Sequence, residues 1–227
     1  MSELLSSWAV LVAAGEGARL GADRPKAFVG LGDEVMLARS LRMLDDHPAL
    51  DGIVVVVPEG WEEPATLLAD DLAATKVAVA VMGGPSRAES VAAGLAAVPE
   101  EADLILVHDA ARPFAAPELV SRVLEALGEA DGAVPGTPLT DTVKRVDADR
   151  IVETLDRTRL VAVQTPQGFR ADVLRRAFAQ AGDRLAAATD CAALVEAAGG
   201  SVAVVPGDAD NLKVTTPADL AEARRRC

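Results

Sequence analysis

The chain has 227 residues, 22 of them basic and 35 acidic, for a formal charge of −13, and half of its residues are apolar. That apolar share is ample for a sizeable core and excludes a disordered chain. The acidity argues against a broad binder of nucleic-acid phosphates, and 3 % aromatics without a Tyr argue against a stacking platform for single strands.

Residues 1–7 carry no basic leader, and the apolar run Trp8–Ala14 stops at Gly15-Glu16-Gly17. Neither a secretion signal nor a membrane span is expected there, which points to a cytoplasmic protein. Trp8–Ala13 reads as a first strand. Ile53–Val57 stops at a proline, Val77–Val81 at Gly83-Gly84, and Leu104–Val107 at His108-Asp109. Continuous β-branched runs of this kind predict strands buried on both faces. Helical spacing fills the intervals at Val35–Leu44, Ala65–Ala74, Arg87–Ala97 and Pro117–Gly128. Strand followed by helix, repeated, predicts an α/β fold with a Rossmann-like, mostly parallel layered sheet.

The pattern changes after Gly136. Residues 138–159 are polar and charged, with a turn signal at Asp147-Ala148-Asp149. A ribbon so poor in apolar residues buries little alone, so it is expected to protrude or to pack outside its own domain. Helical spacing returns at Asp172–Gln180 and Asp190–Ala198, a strand at Val202–Val205, and Thr216-Pro217 opens a last helix. No repeat and no long linker interrupts the chain, so 1–227 is expected to form one domain with a protruding arm at 138–159.

The first strand ends in Gly15-Glu16-Gly17-Ala18-Arg19-Leu20-Gly21, then Arg24-Pro25-Lys26. Glycines after a strand bring main-chain N–H groups close to a ligand and suit phosphate. The third glycine comes one place too late for a dinucleotide fingerprint, and a Gly-Lys-Ser/Thr P-loop is absent. Three cations within eight residues, Arg19, Arg24 and Lys26, are conspicuous in an acidic chain. Pro25 stiffens the backbone under Lys26.

Later segments extend the pattern. They are Gly83-Gly84-Pro85-Ser86-Arg87…Ser90…Gly94, Val107-His108-Asp109-Ala110-Ala111-Arg112-Pro113, Asp141-Thr142-Val143-Lys144, Gln164-Thr165-Pro166-Gln167, Thr189-Asp190 and Asp210-Asn211-Leu212-Lys213. With the glycine loop, in this order, they resemble the 2-C-methyl-D-erythritol 4-phosphate cytidylyltransferase family of non-mevalonate isoprenoid synthesis. The resemblance spans residues 8 to 220. It implies transfer of the cytidylyl group of CTP to a polyol phosphate, with release of pyrophosphate.

The resemblance also implies roles for individual residues. Arg19, Lys26 and Lys213 are the expected catalytic cations. Ala13, Ala14, Gly15, Gly17, Gly83, Gly84, Ser90, Asp109 and Ala110 are the expected CTP site. Asp109 is expected to hold Mg2+ or another divalent cation. Asp109, Arg112, Thr142, Arg157, Thr165 and Thr189 are expected on the acceptor side. The arm is expected to cross to a partner in a homodimer, with neither nucleic acid nor membrane as a partner.

Some positions keep two readings. Arg112 either adds charge near the acceptor or pairs structurally. His108 reads as a packing residue rather than a base. Two positions depart from the family pattern: Ala27 stands where Gln is more usual, and Cys191 where a second acid follows Thr-Asp. With Cys227, Cys191 makes neither a disulfide framework nor a zinc site, and it reads as a small packing residue. A ribitol 5-phosphate cytidylyltransferase and a non-catalytic nucleotide-binding module are the alternatives.

Overall fold

The computed structural model describes residues 5–17, 20, 21 and 23–227. Arg19 therefore lies outside the described residues, as do residues 1–4 of the expected leaderless start.

The first half follows the sequence pattern. After β1 (Ser7–Val12) come a small ribbon, β2 (Gly30–Leu31) with β3 (Glu34–Val35), and helix α1 (Met36–Asp45). Next are β4 (Gly52–Val57), α2 (Glu62–Asp71), β5 (Val77–Met82), α3 (Arg87–Ala97), β6 (Leu104–Asp109) and α4 (Pro117–Ala126). Strand β1 lies between β4 and β6, parallel to both, with Val10 beside Val54 and Val107. Alternate side chains serve opposite layers. Val10, Val54, Val56 and Val107 pack on Val91 and Leu95 of α3, while Leu11, Ile53, Val55 and Leu106 join Leu37 and Leu41 of α1. Burial of this β-branched sheet between two helical layers is the main driving force for the fold. Helix α3 lies very close to the sheet. A Cβ on Gly94 would stand 2.5 Å from Val10 Cγ1, so glycine is required there.

Two expectations need correction in this half. The second helix starts at Glu62, three residues earlier than its apolar spacing suggests. Glu62, Glu63 and Pro64 all suit a helix N-terminus, where acids meet the positive dipole end and proline loses no needed donor. Strand β5 is an edge strand and is not buried on both faces: Val79 and Met82 are 40 % and 50 % exposed.

The second half contains β7 (Gly132–Pro138), β8 (Lys144–Asp147), β9 (Arg150–Thr154), β10 (Val161–Val163) and β11 (Gln167–Arg170). Helices α5 (Ala171–Ala181) and α6 (Cys191–Ala197), strand β12 (Val202–Pro206) and helix α7 (Pro217–Arg225) complete it. The sheet order is β10-β7-β11-β6-β1-β4-β5, with β12 also parallel to β7. Strand β11 runs antiparallel between β6 and β7, and β10 runs antiparallel to β7. Thr216 caps α7 in a capping box with Asp219, after which Pro217 takes the first turn. Strands β8 and β9 pair only with each other, closing between Asp147 and Arg150, and every one of their residues is exposed.

Candidate functional site

The carboxyl ends of β1 and β6 lie side by side, with Val12 opposite Asp109. Ligands gather at such ends in open α/β sheets. A cavity of about 520 Å³ opens there, walled by the glycine loop, the Gly84–Arg87 turn, Asp109, Ala110 and Lys213. Lys26, Ala13, Ala14, Gly15, Gly17 and Ser90 also line it.

The glycine loop folds back on Lys26. The Lys26 N–H donates to the Gly15 carbonyl at 3.2 Å, and Gly17 has φ +75°. A Cβ on Gly17 would fall 2.8 Å from Lys26 Cβ. Glycine is thus needed both for the turn and for the close approach. Pro25 precedes a 3-10 turn at Lys26–Phe28, whose buried Ala27 and Phe28 root the loop in the core.

The second wall is held by Ser90. Its hydroxyl accepts from the Gly84 N–H at 3.2 Å and donates toward the Ser86 carbonyl at 2.9 Å. A Cβ on Gly83 would come within 2.5 Å of Ala14 Cβ and 2.8 Å of Ser90 Oγ. The two glycine segments therefore pack against each other. Gly83 itself lies behind the cavity lining, and the Ser90 hydroxyl is committed to shaping the turn.

At the floor, Asp109 is 5 % exposed and paired on both oxygens. Arg87 Nη2 lies 2.8 Å from Oδ1, and Lys213 Nζ lies 2.7 Å from Oδ2. Burial alone would raise the Asp109 pKa, but Arg87 and then Lys213 outweigh it and hold the carboxyl well below the usual range. The Asp109 N–H donates to Thr165 Oγ1 at 3.1 Å, and that oxygen lies 3.1 Å from His108 Nδ1. Burial pushes the His108 pKa down to about 4, so the ring is neutral and serves the core, as expected from its sequence context.

A smaller cavity of about 190 Å³ adjoins the first and shares Arg87, Asp109 and Lys213 with it. Arg112, Thr165, Thr189 and Asp190 line it too. Arg112 donates from Nη1 to the Asn211 carbonyl at 2.7 Å and from Nη2 to the Val163 carbonyl at 3.4 Å. Its guanidinium thus staples the Lys213 loop to β10, which favours the structural of its two readings. Thr142 and Arg157 line neither cavity. They lie on or beside the exposed arm, where Arg157 donates to the Thr140 carbonyl.

Three amide side chains that position loops were not among the sequence candidates. Gln164 Nε2 donates to the Asp208 carbonyl at 2.7 Å, and Asn211 Nδ2 donates to the Thr165 carbonyl at 2.9 Å. Together they tie down the loop before Lys213. Gln167 Nε2 donates to Asp190 at 3.1 Å and its Oε1 accepts from the Cys191 N–H at 3.3 Å. These amides lie within the motif segments, and a buried amide with two-sided hydrogen bonding is the signal they carry. The Cys191 thiol is buried as expected, and burial pushes its pKa up to about 11 against the pull of Arg87.

Residues 7–225 match the family model described as IspD, 2-C-methyl-D-erythritol 4-phosphate cytidylyltransferase. A protein of that name from Rhodococcus jostii (strain RHA1) is 48 % identical over 219 residues, covering 95 % of this chain and 92 % of the relative. A bifunctional enzyme IspD/IspF from Anaeromyxobacter dehalogenans (strain 2CP-C) is also 48 % identical over 219 residues, covering 95 % of this chain. This chain spans about half the length of that relative, 55 %. Among solved structures, the 4-diphosphocytidyl-2C-methyl-D-erythritol synthase from Anaerococcus prevotii superposes with a TM-score of 0.87 at 27 % identity, over 98 % of this chain and 96 % of the other. The 2-C-methyl-D-erythritol 4-phosphate cytidylyltransferase of Thermus thermophilus gives 0.77 at 37 % identity, over 96 % and 97 %.

Proposed function

This chain belongs to the IspD family of 2-C-methyl-D-erythritol 4-phosphate cytidylyltransferases, and from that premise we propose that it transfers the cytidylyl group of CTP to 2-C-methyl-D-erythritol 4-phosphate. The products are 4-diphosphocytidyl-2-C-methyl-D-erythritol and pyrophosphate. One observation carries the reading. Lys26, Asp109 and Lys213 line one cavity, and a second cavity meets it across Asp109 and Lys213. Two phosphate-bearing substrates brought together need that arrangement.

The acceptor is a phosphate monoester with a second pKa near ~6, so much of it is dianionic at neutral pH and needs no general base. The barrier is repulsion between the incoming dianion and the triphosphate, followed by charge growth on the α-phosphoryl and leaving oxygens. Fixed cations and alignment answer both. Lys26, with the expected Arg19, neutralises the triphosphate over the glycine-loop amides. Lys213 stands between the cavities, where it can reach the α-phosphate and the incoming oxygen. Gly83, Gly84 and Ser90 shape the wall where the cytosine is read.

Asp109 fits the expected Mg2+. It is a hard oxygen donor at the cavity floor, and among the described residues no group of three carboxylates, histidines or cysteines gathers into a protein cage. Mg2+ characteristically takes one or two carboxylates and completes its shell with substrate phosphates and water. When bound, it supplies further neutralisation of phosphate charge.

On the acceptor side we assign Thr165 and Thr189, which line the smaller cavity, and Thr142 and Arg157, carried by the arm of a second protomer in a two-fold homodimer. The exposed hairpin supports this, because it presents Val146, Ile151 and Val152 at 57–64 % exposure with nothing among the described residues to cover them. Two free cysteines suit a reducing cytoplasm. No helix among the described residues is long and apolar enough to cross a membrane.

Pyrophosphate release tests the proposal, with CTP, UTP and ATP crossed against methylerythritol phosphate and ribitol 5-phosphate. Release with CTP and methylerythritol phosphate is expected to dominate. Dominance of ribitol 5-phosphate would reassign the acceptor. CTP binding without release from either acceptor would make the chain a nucleotide-binding module.

A further inference from the structure

Asp109 has two oxygens and two cations, and the cations are not equivalent. Arg87 opens α3 directly after Ser86, whose hydroxyl accepts from the Glu89 N–H at 3.2 Å while Glu89 accepts from the Ser86 N–H at 2.9 Å. That capping box fixes the helix end on which Arg87 stands. Its Nε donates to Oδ1 at 2.9 Å, and its buried Nη2, which makes no hydrogen bond of its own, lies in ion-pair contact with the same oxygen at 2.8 Å. Lys213 takes Oδ2 alone, and its side chain is 43 % exposed against 24 % for Arg87. The remaining guanidinium nitrogen, Nη1, faces Cys191 Sγ at 3.8 Å. The neutral thiol there offers no rival anion, so Arg87 is committed to Asp109. Arg87 also lines both cavities and forms part of the wall between them.

We propose that Arg87 is a positioning residue that clamps Asp109 by Oδ1, so that Oδ2 is the oxygen available for exchange between the Lys213 ammonium and a cation carried in by the triphosphate. The inference rests on the cytidylyl-transfer reading of these cavities. It gives Lys213 a reason to stand beside Asp109. The lysine is parked on Oδ2 and moves to phosphate when a divalent cation takes its place. A guanidinium suits the clamp because its donors sit in a rigid plane, which an ammonium does not provide. Without the clamp, the carboxylate is free to turn and give both oxygens to Lys213. Cation binding and release of the lysine then both suffer.

The test uses Mn2+ as the probe cation and CTP as the nucleotide, in Arg87→Met, Arg87→Gln and Arg87→Lys. Electron paramagnetic resonance reads Mn2+ bound to the CTP complex, calorimetry reads CTP binding without metal, and steady-state assays read kcat and KM. Arg87→Met is expected to weaken Mn2+ binding about tenfold or more and to lower kcat to a similar or larger degree. CTP binding without metal is expected to stay within about twofold, and Arg87→Lys to recover part of the Mn2+ affinity. Removing one partner of a buried pair is destabilising. If Arg87→Met does not fold, Arg87→Gln, which keeps a donor toward Oδ1, is read by the same criterion with an expected loss of about threefold or more. Mn2+ affinity within twofold of the parent in the folded variant would overturn the proposal. An inactive parent whose Mn2+ binding still depends on Arg87 would refute the reaction and leave the clamp standing.

Discussion

The floor of the large cavity and the arm at 138–159 solve opposite problems. At the floor, Asp109 is nearly inaccessible, and its charge is matched by Arg87 and Lys213 within 2.8 Å. The fold itself pays for that arrangement, because β1 and β6 end there side by side. In the hairpin every residue of β8 and β9 is exposed, and the two strands pair only with each other. An isolated two-stranded ribbon is marginal in water. One region is complete within a single chain, and the other is completed, on our proposal, by a second one. Residues of the first should therefore act through chemistry within the protomer, and residues of the second through the acceptor and the assembly.

The largest effect is expected at the first region. Lys26→Ala should lower kcat by ~10²-fold or more while shifting the thermal midpoint little, because the half-buried lysine lines the cavity and is not part of the apolar core. Near-normal turnover would remove Lys26 from the mechanism. Arg157→Ala should come next, raising the KM for the acceptor by ~10-fold and that for CTP far less, since a lost charge-assisted contact to phosphate is worth a few kcal/mol at most, about 1.5–3. Mixing it with Lys26→Ala should restore activity in exchanged hybrids, because one site then carries both intact residues. No recovery would return the arm to its own protomer.

A third substitution sharpens the contrast without touching chemistry. Ile151→Asp lies on the hairpin at a side chain that is 64 % exposed in the lone chain. It should shift a sedimentation-velocity profile from dimer toward monomer and leave the thermal midpoint of the sheet unchanged. An unchanged dimer would place the contact elsewhere.

The smallest effect concerns acid stability far from both regions. His47 is 4 % exposed; its Nδ1 accepts from the Ala49 N–H at 3.3 Å, and its Nε2 lies 3.1 Å from Ser121 Oγ. Burial and then the Lys76 charge hold its pKa below the usual 6.5. The unfolded chain therefore takes up this proton first as pH falls below that value, and stability declines with it. Urea midpoints measured from pH 7.5 downward should fall less steeply for His47→Gln than for the parent. Parallel curves would show that His47 contributes nothing to the slope.

The parallel core was legible because it announces itself in uninterrupted β-branched runs. Of the segments that complete the sheet, β12 was legible as Val202–Val205, while β7, β10 and β11 were not. Strand β11 is Gln-Gly-Phe-Arg, without periodicity, and it is held by pairing with β6 and β7 on its two sides. Strand β7 carries two glycines and two prolines, so its composition reads as turn while its neighbours make it strand. At the site, Asp109 stood out at the end of a buried run and Lys26 within a cluster of cations, and the roles of both, like that of Lys213, came from the family resemblance. Arg87 stood in its motif without a role, since its partner Asp109 lies 22 residues away and only the fold brings the start of α3 to the end of β6. Gln164, Gln167 and Asn211 stood in the motifs without a role because their work is to hold loops, and nothing in local spacing distinguishes a buried amide from a solvated one.

A crystal structure with CTP and Mg2+ tests the central claim most directly. We predict phosphates against the glycine-loop amides and Lys26, the cytosine beside Gly84 and Ser90, the cation on Asp109, and Lys213 drawn from Asp109 toward the α-phosphate. A nucleotide bound elsewhere, or one in this cavity with Asp109 still paired to Lys213 and no cation beside it, would contradict the account.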